Sequence, residues 1–476
     1  MKLLFHIAPL LGEAAPEDLM RLAEEVADAQ LNDALCAAYR ALNDRELVQK
    51  SVAAGCMTFR DWILCREEPQ DPIVLLEQWS AVGHPYHPTH KTRRGMSPGE
   101  VLSCCPEFRP RVQVRLAAVR KERLQGESLP EGPAKERWLD HYFPAAAEAR
   151  RAELTAQRYD PEDYAALPLY PWQAEHAIPA RFARSLAEGD LVLLAAPQIP
   201  ADPLVSVRTL AAATGSEAPH LKLSLGVRLT SVERTISPRS CEMGPRISRL
   251  LQDLIKRDEV LSRTLDILQE EVGLYFTSAH AREAEESKHL AAILRGNPAR
   301  LCGDGGIVVP GTALAAASPV SGAPFLLELG EDDALTDPAE ARAHFADYAT
   351  AFLRPLLTLY LRYGIALEPH LQNSLVQCDS SGRILRCVFR DFGGIRIHEP
   401  SLRAAGLALK VHPDRLTVVD DRRSVRGKLT AHGLHRHVGF LISRICGYLQ
   451  VSEAPYWSDV AEIAEAVFDD LRGDVD

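Results

Sequence analysis

The stretch EPHLQNSLVQCDSSGRILRCVFRDFGG, residues 368–394, decides the fold. SLVQC and ILRCVF are short apolar-rich runs, and Asp379-Ser380-Ser381-Gly382 lies near the centre of the linker between them. That combination reads as two antiparallel strands joined by a tight turn. Immediately upstream, TDPAEARAHFADYATAFLRPLLTLYLRYG (336–364) reads as a long helix, with Asp337 as its N-cap and Pro338 in the first turn. A long helix delivering the chain into a hairpin points to an α+β protein.

Working outward supports that class. PEDLMRLAEEVADAQLNDALCAAYRAL and the residues after it, 16 to about 66, carry apolar side chains at helical spacing. The charged stretch from 106 to 160 is expected to present a solvated helical face. DLVLLAAP (190–197), LVSVRTL (204–210) and HLKLSLGVRLTSV (220–232) read as strands of an antiparallel sheet. GPRISRLLQDLIKRDEVLSRTLDILQEEVGLYF (244–276) is expected to return to helix. Three regions are expected: a mainly helical one over 1–160, a β-rich one over 161–325, and a third over 326–476 that carries the hairpin.

Composition sets bounds on function. The 476 residues are 46% hydrophobic and 25% charged, with a formal net charge of −11, which argues against a general nucleic-acid binder. The ten cysteines show no CxxC spacing and read as reduced thiols of a cytoplasmic protein. No run approaches the ~20 apolar residues of a membrane span. The start, MKLLFHIAPLLGEAAPEDL, is interrupted by His6 and Pro9 and is not expected to act as a leader.

Against this acidic background three constellations carry chemistry. The hairpin brings Asn373 close to Asp391, and Glu368 stands at the head of the same segment. A polar loop ending in Asn, a hairpin, then Asp-Phe-Gly is how kinase-like ATP enzymes place magnesium ligands, and oxygen donors suit that ion. The second is SVRT followed by HLKLSLGVRLTSVERT. Strand alternation would put Ser206 and Arg208 on one face, with Thr209, Lys222, Thr230, Ser231 and Arg234 near by, an oxyanion cradle or an ordinary exposed sheet face. The third is GHPYHPTHKTRRG (83–95). Its His84, His87 and His90 sit among Lys91, Arg93 and Arg94, which would repel a metal and favour an anion.

In this order the motifs resemble those of the NRPS-independent siderophore (NIS) synthetases, the IucA/IucC or aerobactin-synthetase-like family. The match is carried by GHPxHPxxKxRxG (Gly83–Gly95), S-x-R-T (Ser206, Arg208, Thr209), K-L-S with T-S-x-x-R (Lys222–Ser224, Thr230–Arg234), YGIxLExHxQN (Tyr363–Asn373) and RDFGG (Arg390–Gly394). LPLYPWQ (167–173) is similar to the family's LPxHPWQ, with Tyr170 where His is usual. The resemblance implies a cupped-hand architecture with a β-rich fingers region and a palm, and a homodimer. It implies ATP-dependent adenylation of a polycarboxylic acid such as citrate, then condensation with an amine or alcohol in siderophore biosynthesis, with release of AMP and pyrophosphate. By the same resemblance His87, Lys91, Ser206, Arg208, Thr209 and Lys222 would line the ATP site. Glu368, Asn373 and Asp391 would hold Mg²⁺. Thr230, Ser231, Arg234, His370 and Gln372 would grip the acid, with Arg234 and His370 stabilising charge at the α-phosphate.

The sequence departs from the family in two places. Family members continue past the point where this chain ends, with a lysine-containing motif, so Lys410, Lys428 or a partner subunit is expected to replace that lysine. Arg436–His437 stands where Asn–His is common. Two other readings compete. One is a small-molecule kinase of the aminoglycoside-phosphotransferase type, against which no Asp lies between His370 and Asn373. The other is a synthetase-like binding subunit without catalysis.

Overall fold

The structure is a computed structural model that describes residues 16–66, 71–83, 87–196, 198–229, 232–302, 306–330 and 336–471. Helix α1 (Pro16–Ala53) leads through α2 (Phe59–Cys65) to α3 (Pro72–Trp79), whose start is set by Asp71, which caps Ile73, and by Pro72 at the first turn. Among the described residues no helix is long and apolar enough to cross a membrane.

Nine strands form the largest sheet: β1 (Val112–Arg120), β2 (Leu124–Ser128), β3 (Tyr164–Leu169), β4 (Leu191–Leu193), β5 (Ile199–Pro203), β6 (Thr209–Ala212), β7 (His220–Leu223), β11 (Glu270–Phe276) and β12 (Ala291–Arg295). Their order is β2-β11-β12-β7-β6-β5-β1-β3, with β4 beside β1, and the pairings are antiparallel. β8 (Leu225–Leu229) and β9 (Val232–Arg234) make a separate two-stranded ribbon.

Three expectations change here. The stretch read as a solvated helical face contributes β1 and β2 before its helix at Pro144–Ala156. Val112, Val114 and Leu116 are buried at a spacing of two, while Arg120 and Arg123 pair with Asp190. LVSVRTL is not one strand, because β5 ends at Pro203 and β6 starts at Thr209, so Ser206 and Arg208 lie in the turn between them. The long helix α4 (Pro238–Arg257) stops at its C-cap Asp258, and a short helix, Glu259–Thr264, follows. The chain then enters β10 (Leu265–Ile267) and β11 rather than staying helical.

The hairpin is present as read. β15 (Ser374–Cys378) and β16 (Ile384–Phe389) pair antiparallel, and Asp379 accepts the N–H groups of Ser381 and Arg383 across the turn. β10 and β13 (Ile307–Pro310) flank the hairpin in a four-stranded sheet. Helix α5 (Pro338–Tyr363) starts at its Asp337 cap and ends at Gly364, whose φ of 65° lets the backbone turn left-handed into β14 (Ile365–Ala366). β14 pairs with β17 (Arg396–His398), which pairs with β18 (Val418–Val419). Helix α6 (Arg422–Leu429) runs through a π-helical segment (Thr430–Val438) into α7 (Gly439–Leu449), and α8 (Ala454–Asp470) packs on α5.

Two main cores follow. One gathers β1, β3, β7 and β12 around Leu116, Leu167, Leu221 and Leu294. The other joins α2 and α3 to the C-terminal half through Phe59, Trp79, Phe325, Phe352 and Ile442. The fold is therefore mixed helix and sheet, and the functional motifs lie where β6, β7 and β12 face the hairpin.

Candidate active site

Strand register builds the floor of the site. Thr209 on β6, Lys222 on β7 and Ile293 on β12 stand in one row, and Ala211, His220, Arg295 and Glu270 in the next. Residues two apart on a strand share a face, so His220, Lys222, Arg295 and Glu270 project together. Lys222 Nζ lies 2.6 Å from Asp391 Oδ2, and Arg295 Nη2 lies 3.5 Å from that oxygen and 3.0 Å from Glu270 Oε1. Arg208 reaches over from its turn and donates Nη1 to the carbonyls of Arg234 and Thr235 at 2.9 and 2.7 Å.

Three cations, Arg208, Lys222 and Arg295, thus meet two carboxylates, Glu270 and Asp391, and Arg234 adds a further positive charge at the end of β9. Burial lowers the Lys222 ammonium from its usual value and brings the Arg208 guanidinium down to about 10, with Asp391 opposing both shifts. Burial alone would raise the Asp391 carboxyl; Lys222, Arg295 and Arg208 overcome it and hold the group far below the usual carboxylate range. A buried surplus of positive charge is an arrangement suited to an anion.

The opposite wall comes from the segment before the hairpin. Arg390 N–H donates to Asn373 O at 3.0 Å, so the hairpin does bring the Asn373 and Asp391 positions together. Asn373 Nδ2 donates to the carbonyl of Glu368 at 3.3 Å. Glu368 packs against Gly394 so closely that a Cβ there would sit 1.9 Å from Oε2 and would displace the carboxylate. Asp391 adopts a left-handed φ of 70°, a conformation tolerated by Asp and held at functional sites.

From below, Lys428 Nζ lies 2.5 Å from Glu368 Oε1 and His432 Nε2 lies 3.4 Å from it. Burial would raise the Glu368 carboxyl, yet Lys428 keeps it lowered. Burial lowers His370 and takes His432 to about 4, so both rings are neutral near pH 7. His437 orients the loop: its Nδ1 donates to Pro369 O at 3.0 Å and its Nε2 accepts from Tyr348 Oη at 2.5 Å. Lys428 therefore stands in the site, whereas Lys410 is exposed and offers its carbonyl to Arg246.

Carboxylates of Glu368 and Asp391 with the amide of Asn373 are hard oxygen donors, and both acids are held ionised by neighbouring ammonium groups. Those residues fit Mg²⁺. Glu368, His370 and His432 also offer ligand atoms within 4.8 Å of one another.

The remaining expected residues have partners within the protein. Lys91 is 1% exposed, and its ammonium is held by Glu107 Oε1 and Ala81 O, both at 2.6 Å. Arg93 shares Glu107, and Arg94 pairs with Glu24 on α1. Thr92 and Arg93 are further tied to Glu25 O and Asp28. The loop's cations are thus paired with carboxylates of the protein, and the partner of Lys91, Glu107, lies sixteen positions on, outside the motif. His87 Nδ1 contacts Thr89. Ser206 supplies its carbonyl to Thr209 N–H at 2.7 Å, and Gln372 supplies its carbonyl to Arg390. His84, Thr230 and Ser231 lie outside the described residues. Sequence reasoning missed Arg295 and Glu270: Glu270 lies in the stretch expected to be helical, and only register places the two near Lys222.

The profile of the IucA / IucC family matches residues 72–316, and that of the ferric iron reductase FhuF-like transporters matches 342–476. Uncharacterized protein y4xN of Sinorhizobium fredii is 30% identical over 465 residues, 96% of this chain and 74% of the relative. D-ornithine–citrate ligase of Staphylococcus aureus is 26% identical over 422 residues, covering 85% of this chain and 63% of that one. The fold is shared with aerobactin synthetase IucC of Klebsiella pneumoniae, at a TM-score of 0.77 and 20% identity over 98% of this chain and 79% of that structure. With the family profile spanning half of its length, the chain belongs to the IucA/IucC family, that of the NRPS-independent siderophore synthetases.

Proposed function

We propose that the protein is a siderophore synthetase that uses ATP and Mg²⁺ to join a polycarboxylic acid, citrate or a derivative, to an amine or alcohol. The observation that carries this reading is the Lys222–Asp391 contact, which sets a buried cationic sheet face against a wall of oxygen donors. Relatives named D-ornithine–citrate ligase and Staphyloferrin A synthase support the substrate class.

In this reading Ser206, Arg208, Thr209 and Lys222 hold the ATP phosphates, with His87 at the rim. Glu368, Asn373 and Asp391 hold Mg²⁺, which when bound offsets phosphate charge. Arg234, His370, Gln372 and Lys428, with Thr230 and Ser231, receive the acid. Its carboxylate oxygen attacks the α-phosphorus, the bond to pyrophosphate breaks, and an acyl-adenylate forms. Carboxylate and triphosphate repel each other, so Arg208, Lys222 and Arg234 lower the barrier by meeting both anions. A neutral His370 contributes an N–H donor without adding charge. The amine or alcohol then attacks the acyl carbon, loses its proton, and AMP departs. We further propose a cupped-hand arrangement, a homodimer and a cytoplasmic setting.

The test is a product assay with ATP, Mg²⁺, hydroxylamine and a panel of acids that includes citrate. Pyrophosphate with a hydroxamate from one acid is the expected result. ADP as product would replace adenylation by phosphotransfer. ATP binding without any product would leave a binding role.

A further inference from the structure

Glu77 lies in the last turn of α3, is fully buried, and belongs to none of the motifs above. Its Oε1 lies 2.6 Å from Nη1 of Arg390, which is itself 4% exposed. Its Oε2 accepts the N–H of Val205 at 3.0 Å. The other donors of Arg390, Nε and Nη2, both reach the carbonyl of Gln372, at 3.0 and 2.8 Å. One carboxylate therefore joins the turn that carries Ser206 and Arg208 to the residue preceding Asp391 and, through Arg390, to the segment that carries His370 and Asn373.

Leu75, Leu76 and Trp79 anchor α3 in the core with Phe59 and Phe325. Taking a carboxylate and a guanidinium out of water costs about as much as their attraction returns, so a buried pair is weak evidence of a stabilising purpose. What it fixes is geometry. The two segments it ties belong to different sheets, one to the nine-stranded sheet and one to the hairpin sheet.

We propose that Glu77 is a positioning residue that locks the 203–209 turn to the 368–373 segment and Asp391, so that the anion-facing and metal-facing walls keep one register. The proposal rests on the reading of those walls given under Proposed function, but the coupling itself is testable without it.

Glu77→Gln keeps the volume and an acceptor for Val205 N–H while removing the charge that faces Arg390. Hydrogen exchange of the full chain, measured without nucleotide, is expected to quicken in both 203–209 and 371–374. The Mg²⁺ needed for half-maximal pyrophosphate release is expected to rise roughly 10- to 100-fold, the usual effect of losing an outer partner of a metal site. Ser80→Ala, which removes a hydroxyl contact to Thr312 at the end of the same helix, should leave both readouts at the level of the unaltered protein. Arg390→Lys keeps a charge for Glu77 but loses the paired donors to Gln372 O; it takes the place of Glu77→Gln if that variant does not fold, with the same expectation. Faster exchange confined to α3, or an equal response in Ser80→Ala, would overturn the coupling. Absence of ATP turnover in the unaltered protein would strike the proposed reaction and leave the exchange result to judge Glu77.

Discussion

Lys222 and Asp391, 169 positions apart, are joined by a 2.6 Å ion pair that links the floor of the large sheet to the end of the hairpin. Each partner sets the chemistry of the other. The ammonium keeps the carboxyl ionised in a buried setting, and the carboxylate opposes the loss of charge that burial imposes on the lysine. In the proposed reaction nucleotide phosphate faces Lys222 and a divalent cation faces Asp391, each taking the place of one half of this pair.

Asp391→Asn should therefore abolish Mg²⁺-dependent ATP turnover with the chain still folded, since Asn tolerates the left-handed φ at this position. Pyrophosphate release and the thermal midpoint together check it. Retained turnover would remove Asp391 from the metal site.

Arg234→Ala should raise the acid concentration for half-maximal rate by roughly 10- to 100-fold, the worth of one charge-assisted contact. The requirement for ATP should change far less, because Arg208, Lys222 and Arg295 remain. Steady-state kinetics in both substrates separates the two, and equal shifts would count against an acid-facing Arg234.

How much of this was legible in the sequence depends on distance along the chain. The 374–389 hairpin, the Asp337-capped helix and the closeness of Asn373 to Asp391 rest on local turn and cap chemistry, and the structure has all three. β1 was misread because its inward residues share the run with arginines whose carboxylate partner, Asp190, lies far along the chain. The Lys91–Glu107 pair is hidden in the same way, because nothing in the motif reveals Glu107 as a buried partner. Arg295, Glu270 and Glu77 enter the picture only through strand register and helix docking, which no local pattern encodes.

Lys428 Nζ lies 2.5 Å from Glu368 Oε1, beside the proposed acid-binding residues. Lys428→Ala should raise the acid requirement roughly tenfold or more while leaving ATP binding nearly unchanged. Calorimetric titration with ATP, alongside kinetics in the acid, distinguishes this from a general loss of the site. An unchanged acid requirement would return Lys428 to a purely structural pairing.

His437 supplies a pH dependence of stability. Burial brings its pKa from 6.5 down to about 3, and its neutral ring accepts from Tyr348 while donating to Pro369 O. A histidine with a depressed folded value contributes stability that is present above pH 6.5 and lost as the pH falls from there toward 3, because the unfolded state takes up the proton first. The slope for one such proton is about 1.4 kcal/mol per pH unit within that window. Urea unfolding at pH 7.5, 6 and 5 should show a decline that is shallower in His437→Gln. An identical slope in the two proteins would exclude His437 as a contributor.

Lys91 offers the sharpest contrast between sequence expectation and structure. An anion-facing lysine would, when replaced, weaken ATP binding and spare the fold. The buried Lys91 instead neutralises Glu107, whose carboxyl burial would raise but which Lys91 and Arg93 hold at about 2. Lys91→Met leaves Arg93 as the remaining partner of a carboxylate with little access to water. Breaking one arm of such a buried pair costs about 3–5 kcal/mol. Chemical denaturation should show a loss of that order, with the ATP requirement of the surviving folded fraction close to that of the unaltered protein. A stable Lys91→Met chain with a much weakened hold on ATP would restore the loop to the nucleotide site.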